Sequence, residues 1–138
     1  MPLAIREDKE ISTAQLVDLY RSVGWSAYAR DPIGLKTALQ NSTYIASAWV
    51  GDDLVGLARC IGDDVHIAYL QDILVHPDHQ GQAIGKQLMA AVFKRFSHIR
   101  QLVLLTDNQE KLKSFYGGLG MSDVSRRDDL TAFVRLKT

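Results

Sequence analysis

Cysteine is almost absent from this 138-residue chain, and the single thiol, Cys60, excludes an intrachain disulfide framework. An excess of charge is absent too. Sixteen Lys and Arg are matched by sixteen Asp and Glu, so no global field draws the protein to nucleic acid or to an anionic membrane surface, and any anion site has to be local. The opening residues, MPLAIREDKE, have neither the apolar run of a signal peptide nor a membrane span. With the lone thiol, that makes a reduced cytoplasm the expected location. Metal ligands are equally scarce: His66, His76, His79 and His98 lack a helical pair spacing with an acidic partner, so zinc is not expected. A triphosphate-binding loop is excluded because Gly85-Lys86 is followed by Gln87, and Gln80 stands where the first glycine should be.

What remains is a chain with 46% hydrophobic residues, long enough for one substantial core and too short for two ordinary ones. A single domain over 1–138 is expected. Leu3–Arg6 reads as a short first strand, and Ser12-x-x-Gln15 as a capping box opening a helix with Leu16, Leu19, Tyr20 and Val23 on one face, stopped by Gly24. Trp25 and Tyr28 lie on the connection to a second helix, which Asp31-Pro32 opens as N-cap and first-turn proline. Tyr44–Val50, Leu54–Ile61 and Val65–Val75 are β-forming runs separated by Gly-Asp-Asp turns, the pattern of an antiparallel meander. A helix from about Gln82 to Phe96 carries Ile84, Leu88, Val92 and Phe96 at helical spacing. Gln101–Leu105 returns as a strand parallel to the one before that helix. Asp107 or Asn108 caps a last helix through Phe115, and Ala132–Leu136 supplies a final strand.

The densest stretch is Gln71–Gln87, QDILVHPDHQGQAIGKQ, where an apolar strand meets a proline turn, a glycine loop and a helix start. A helix start offers backbone N–H groups without intrahelical partners and roughly half a positive charge, which together suit a pyrophosphate. Together with TDNQEKLKSFYGGLGM at 106–121, the segment resembles the GCN5-related N-acetyltransferase family, whose signature is Gln/Arg-x-x-Gly-x-Gly/Ala after a strand ending in Val-x-Pro. Here Gln80-Gly81-Gln82-Ala83-Ile84-Gly85 occupies the signature, with Ala83 where the family normally has glycine. If residue 83 has helical dihedrals, Ala is readily accepted there.

The resemblance implies an α/β (α+β) fold with a central mixed sheet of about six to seven strands, mostly antiparallel with one splayed parallel pair, and about four flanking helices. It implies acetyl-CoA as cosubstrate, with the pyrophosphate on Gln80, Gly81, Gln82, Ala83, Ile84, Gly85 and Lys86, and the pantetheine arm on the backbone of Ile73, Leu74 and Val75 and on Asn108. Tyr116, of the Phe115-Tyr116 pair, is the implied acid for the departing thiolate, with Phe115 as its buried partner; from spacing alone Tyr116 reads equally as a core aromatic. Asn108 reads equally as a helix cap. For the base, Asp72 stands first, with His66 and Asp107 as alternatives near the same end of the sheet. Trp25, Tyr28 and Arg59 are candidates to shape the acceptor pocket, the aromatics also fitting simple packing. Cys60 has no His/Asn arrangement to support covalent catalysis. The implied activity is acetyl transfer to a primary amine, a small molecule before a protein N-terminus or lysine, and the resemblance is compatible with a homodimer. The rival from another class is an acyl-CoA sensor without turnover, motivated by Ala83.

Overall fold

The computed structural model describes residues 2–137. Residues up to Leu104 form one compact unit and those from Leu105 onward a second. The first holds β1 (Leu3–Arg6), α1 (Thr13–Ser22), α2 (Ser26–Ala29), α3 (Pro32–Gln40), β2 (Tyr44–Val50), β3 (Asp53–Gly62), β4 (Ile67–Val75), α4 (Ile84–Arg95) and β5 (Gln101–Leu104). Its strands make one sheet in the order β1-β2-β3-β4-β5, antiparallel throughout except for the parallel β4–β5 pair. The mixed α/β architecture with one parallel pair is the one anticipated.

Local signals account for most of the boundaries. Ser12 Oγ accepts from Gln15 N at 3.1 Å and Gln15 Oε1 accepts from Ser12 N at 3.4 Å, a reciprocal box that starts α1. Asp31 Oδ1 accepts from Gly34 N at 3.0 Å and Pro32 begins α3. Leu16, Leu19 and Tyr20 of α1 and Leu35 and Leu39 of α3 bury against Ile45, Leu57 and Leu74 of the sheet. Neighbouring strand residues point to opposite faces, so Gly56, next to Leu57, faces the other side. There a Cβ on Gly56 would stand 3.2 Å from both Ile84 and Leu88 of α4. Glycine at 56 is what lets α4 close on the sheet.

Three expectations are corrected. The described residues hold five strands rather than six to seven, because Ala132–Leu136 forms none. Its β-forming composition finds no face to pack on, and Phe133 is 94% exposed. Five helices replace four, since Ser26–Ala29 closes a single turn between Trp25 and Arg30. The third correction is at α4, which starts at Ile84, two residues later than its periodicity suggests. Ala83 is left-handed at φ 61°, ψ 20°, and so stands outside the helix as its N-cap. Helical dihedrals at residue 83 are therefore overturned.

The second unit holds α5 (Glu110–Gly118), and Gln109, not Asp107 or Asn108, is its N-cap. Gly120 at φ 90° follows its end, where Met121 N donates to Tyr116 O at 3.1 Å.

Candidate active site

The ladder between β4 and β5 stops early. Ile67 to Leu70 pair with Gln101 to Leu104, and beyond Leu70 no strand among the described residues pairs with that edge of β4. On the other edge, β3 pairs Arg59 with Asp72 but Cys60 with Leu70, so Gln71 is the extra residue of a β-bulge. The bulge and the end of parallel pairing coincide. His76 N donates to Val55 O at 2.8 Å, and alternation along an antiparallel ladder then turns the N–H and C=O groups of Ile73 and Val75 away from β3, and those of Leu74 toward it. Ile73 and Val75 thus present backbone to the open edge, while the Leu74 side chain is core.

That edge runs into a 3₁₀ turn at Pro77–His79 and then the loop at 80–83. Gln80 Nε2 donates to the Val75 carbonyl at 3.1 Å, tying loop to strand. Gly81 is left-handed at φ 82°, with open space where a Cβ would stand. No side chain caps α4 at Ala83. The first-turn N–H groups, including those of Ile84, Gly85 and Lys86, lack intrahelical partners, and with the helix dipole they form a positively polarised cradle. It fits a pyrophosphate: the donors have no competing cap and the glycine approach is clear.

Behind the open edge lies a buried ion pair. Arg59 Nε donates to Asp72 Oδ2 at 2.8 Å, and the Tyr20 hydroxyl donates to the same oxygen at 2.9 Å. Asp72 is 3% and Arg59 5% exposed. Burial first, then the Asp72 charge, holds the Tyr20 phenol well above its ordinary value, so it stays neutral and donates. One carboxylate oxygen accepts from both partners and the residue is nearly closed to solvent, a poor arrangement for taking a proton from a bound amine. Arg59 likewise turns its guanidinium to Asp72, with Nη1 3.5 Å from Ser42 Oγ, and offers no open face to a ligand. His66 precedes β4, at the opposite end from the loop at 80–83, which corrects its placement near the same end of the sheet.

Trp25 and Tyr28 are half-buried and stack around Tyr20, with ring centroids 5.9 Å (Tyr20–Trp25), 5.2 Å (Tyr20–Tyr28) and 6.2 Å (Trp25–Tyr28) apart. Gln71 Nε2 donates to the Tyr28 hydroxyl at 3.1 Å. The fold thus brings Trp25, Tyr28, Arg59 and Asp72 into one connected cluster, through two residues that sequence reading passed over. Tyr20 looked like ordinary helix-face core, and Gln71 like an ordinary strand residue. An acidic residue inside an apolar strand was the available signal, since a buried charge requires partners.

In the second unit Tyr116 is buried in the last turn of α5, its ring edge-on to half-buried Phe115 with centroids 5.0 Å apart. Phe115 was the expected buried member; the order is reversed. Burial raises the Tyr116 phenol above its ordinary value, which keeps it protonated at neutral pH. Asn108 is exposed in the segment before the helix. Burial pushes the Cys60 thiol up to about 12, so it is an inert core group. Among the described residues no group of three His, Cys, Asp or Glu could hold a metal, and no helix is long and apolar enough to cross a membrane.

Comparison with known proteins decides the family. The model of the acetyltransferase (GNAT) family matches residues 11–121, most of the chain. The chain belongs to the GNAT acetyltransferase family. A ycf52-like N-acetyltransferase of Prochlorococcus marinus is 37% identical over 119 residues, covering 81% of this chain and 63% of its own length. A ycf52 N-acetyltransferase of Gracilaria tenuistipitata is 36% identical over 117 residues, covering 80% and 62%. This GNAT chain therefore spans less than two thirds of the length of those curated relatives. A solved GNAT-family acetyltransferase from Streptococcus pneumoniae superposes with a TM-score of 0.86 at 31% identity, over 99% of this chain and 98% of that one.

Proposed function

We propose that this GNAT chain, acting over 1–138 as one N-acetyltransferase domain, moves the acetyl group of acetyl-CoA to a primary amine of a small molecule by direct attack in a ternary complex. One observation carries the reading: the unpaired edge of β4 at Ile73 and Val75 leads straight into the uncapped start of α4. A pantetheine arm laid along that edge would gain strand-like hydrogen bonds from Ile73 and Val75, and the pyrophosphate would meet the N–H groups that follow Gly81. A backbone N–H aimed at the thioester oxygen would stabilise the charge that develops there.

The chemistry balances with few groups. The amine loses a proton to water, its nitrogen bonds to the carbonyl carbon, and the C–S bond breaks. Tyr116 gives its phenolic proton to the leaving thiolate and regains one from solvent. Asn108 serves as a hydrogen-bond partner of the pantetheine arm. The geometry behind Asp72 favours a positioning role over that of base, because its carboxylate already accepts from Arg59 and Tyr20.

Replacing Tyr116 by Phe tests the acid assignment. The expected result is a fall in kcat of about 100-fold or more with acetyl-CoA affinity retained. Because burial raises the phenol, the alkaline fall of kcat that Tyr116 governs should lie above the ordinary range of a phenol. An unchanged kcat across the pH range would remove Tyr116 from the reaction.

A further inference from the structure

We infer that Tyr20 is a positioning residue for acetyl transfer: from α1 it holds both residues at the β4 bulge, and so fixes the direction of the backbone N–H groups that β4 offers at its open edge. The inference rests on the acetyl-transfer reading above and adds to it a residue that acts on the reaction only through others.

The open edge needs a hold from behind. A bulge interrupts the ladder and increases the local twist, and here it falls where pairing with β5 ends. Among the described residues, β4 beyond Leu70 is paired along its β3 side alone. A strand held along one side can turn about that side. An N–H group stabilises the charge on a thioester oxygen only at hydrogen-bond distance from where that charge develops, and a misplacement of about 1 Å can cost about 100-fold in rate.

Tyr20 supplies the hold from the helix layer. Its side chain is fully buried, and its hydroxyl donates to Asp72 Oδ2 at 2.9 Å, on the residue that follows the insertion. Its ring packs on Tyr28 with centroids 5.2 Å apart, and the Tyr28 hydroxyl accepts from Nε2 of Gln71, the inserted residue itself, at 3.1 Å. One side chain thus restrains two consecutive residues, Asp72 directly and Gln71 through Tyr28. Arg59 Nε closes the circuit from β3 by donating to the same Asp72 oxygen at 2.8 Å. Ile73, the next residue along, presents its backbone to the open edge.

Stability alone is a weak reason for this network, because well-packed apolar side chains in place of a buried ion pair are often as stable or more so. Positioning supplies the stronger one. Burial and the Asp72 charge keep the Tyr20 phenol neutral, so the hold does not change with pH over the working range.

Tyr20→Phe keeps the ring on Tyr28 and removes only the hydroxyl. We expect kcat to fall about tenfold, with KM for acetyl-CoA and CoA affinity by calorimetry within about twofold, since the cradle at α4 is untouched. The fall should be equal across the pH range; a shifted acid limb would make Asp72 the base and overturn the positioning role. Arg59→Met with Asp72→Leu should be about as stable as the wild type and still have a low kcat, which separates positioning from folding. Amide exchange gives a readout without turnover: saturating CoA should protect the Ile73 and Val75 amides in the wild type and protect them less in Tyr20→Phe. Wild-type kcat in Tyr20→Phe, wild-type kcat in the double variant, or equal protection in both proteins would overturn the inference. Protection that weakens in Tyr20→Phe while the wild type acetylates no amine would count against the proposed reaction and leave the hold on the edge supported.

Discussion

Taking a carboxylate and a guanidinium out of water costs several kcal/mol per ion, and the pair persists only where geometry and further hydrogen bonds compensate. Asp72 and Arg59 meet that condition through the 2.8 Å contact and through Tyr20. Removing one partner leaves the other charge buried and alone. Asp72→Ala should therefore lower stability by about 3–5 kcal/mol, seen as a lower urea midpoint, while the double change Arg59→Met with Asp72→Leu should recover much of the loss. An unchanged midpoint in the single variant would mean that the pair is solvated. Sequence alone named Asp72 as a candidate base and Arg59 as a candidate pocket residue, both on central strands. It did not reveal that they face each other, because that depends on the β3–β4 register.

At the scale of elements, the start of α4 shows how a local rule and a local conformation part company. Helical periodicity runs smoothly back through Ile84, and Ala is the best helix former, so nothing in the composition marks residue 83 as left-handed. The loop geometry does: the chain turns at Gly81 with φ 82° and again at Ala83 with φ 61°. Ala is strained there by about 1–2 kcal/mol, which glycine would relieve at the cost of a more flexible unfolded chain. Ala83→Gly is expected to stabilise the protein by about 1 kcal/mol, raising Tm by a few degrees, and to keep acetyl-CoA affinity within a few fold. A fall in Tm would show that residue 83 is not held left-handed. Since Ala keeps the conformation and the N–H that glycine would supply, its presence does not disable the cradle, and the motive for a sensor reading weakens. Elsewhere sequence and element agree well: the Ser12 box and the Asp31-Pro32 start are where their chemistry places them. The single turn Ser26–Ala29 was invisible because it has no side-chain cap and no periodicity to display.

At the scale of the whole molecule, the meander of β2, β3 and β4, the helix α4 and the parallel return of β5 form the part of a GNAT chain that could be read from residues 44–105 before any coordinates. The end of the chain could not. Ala132–Leu136 has strand chemistry, yet a strand needs a neighbouring edge as well as a composition, and Val134 and Leu136 stay exposed. The central claim concerns the open edge of β4 and the start of α4: this protein should spend acetyl-CoA only when an amine is present. Thiol release from acetyl-CoA at mildly alkaline pH, across arylalkylamines, polyamines, amino sugars and lysine peptides with a no-amine blank, tests it most directly. The account predicts amine-dependent release. Binding of acetyl-CoA with release no faster than the blank for every amine would contradict it.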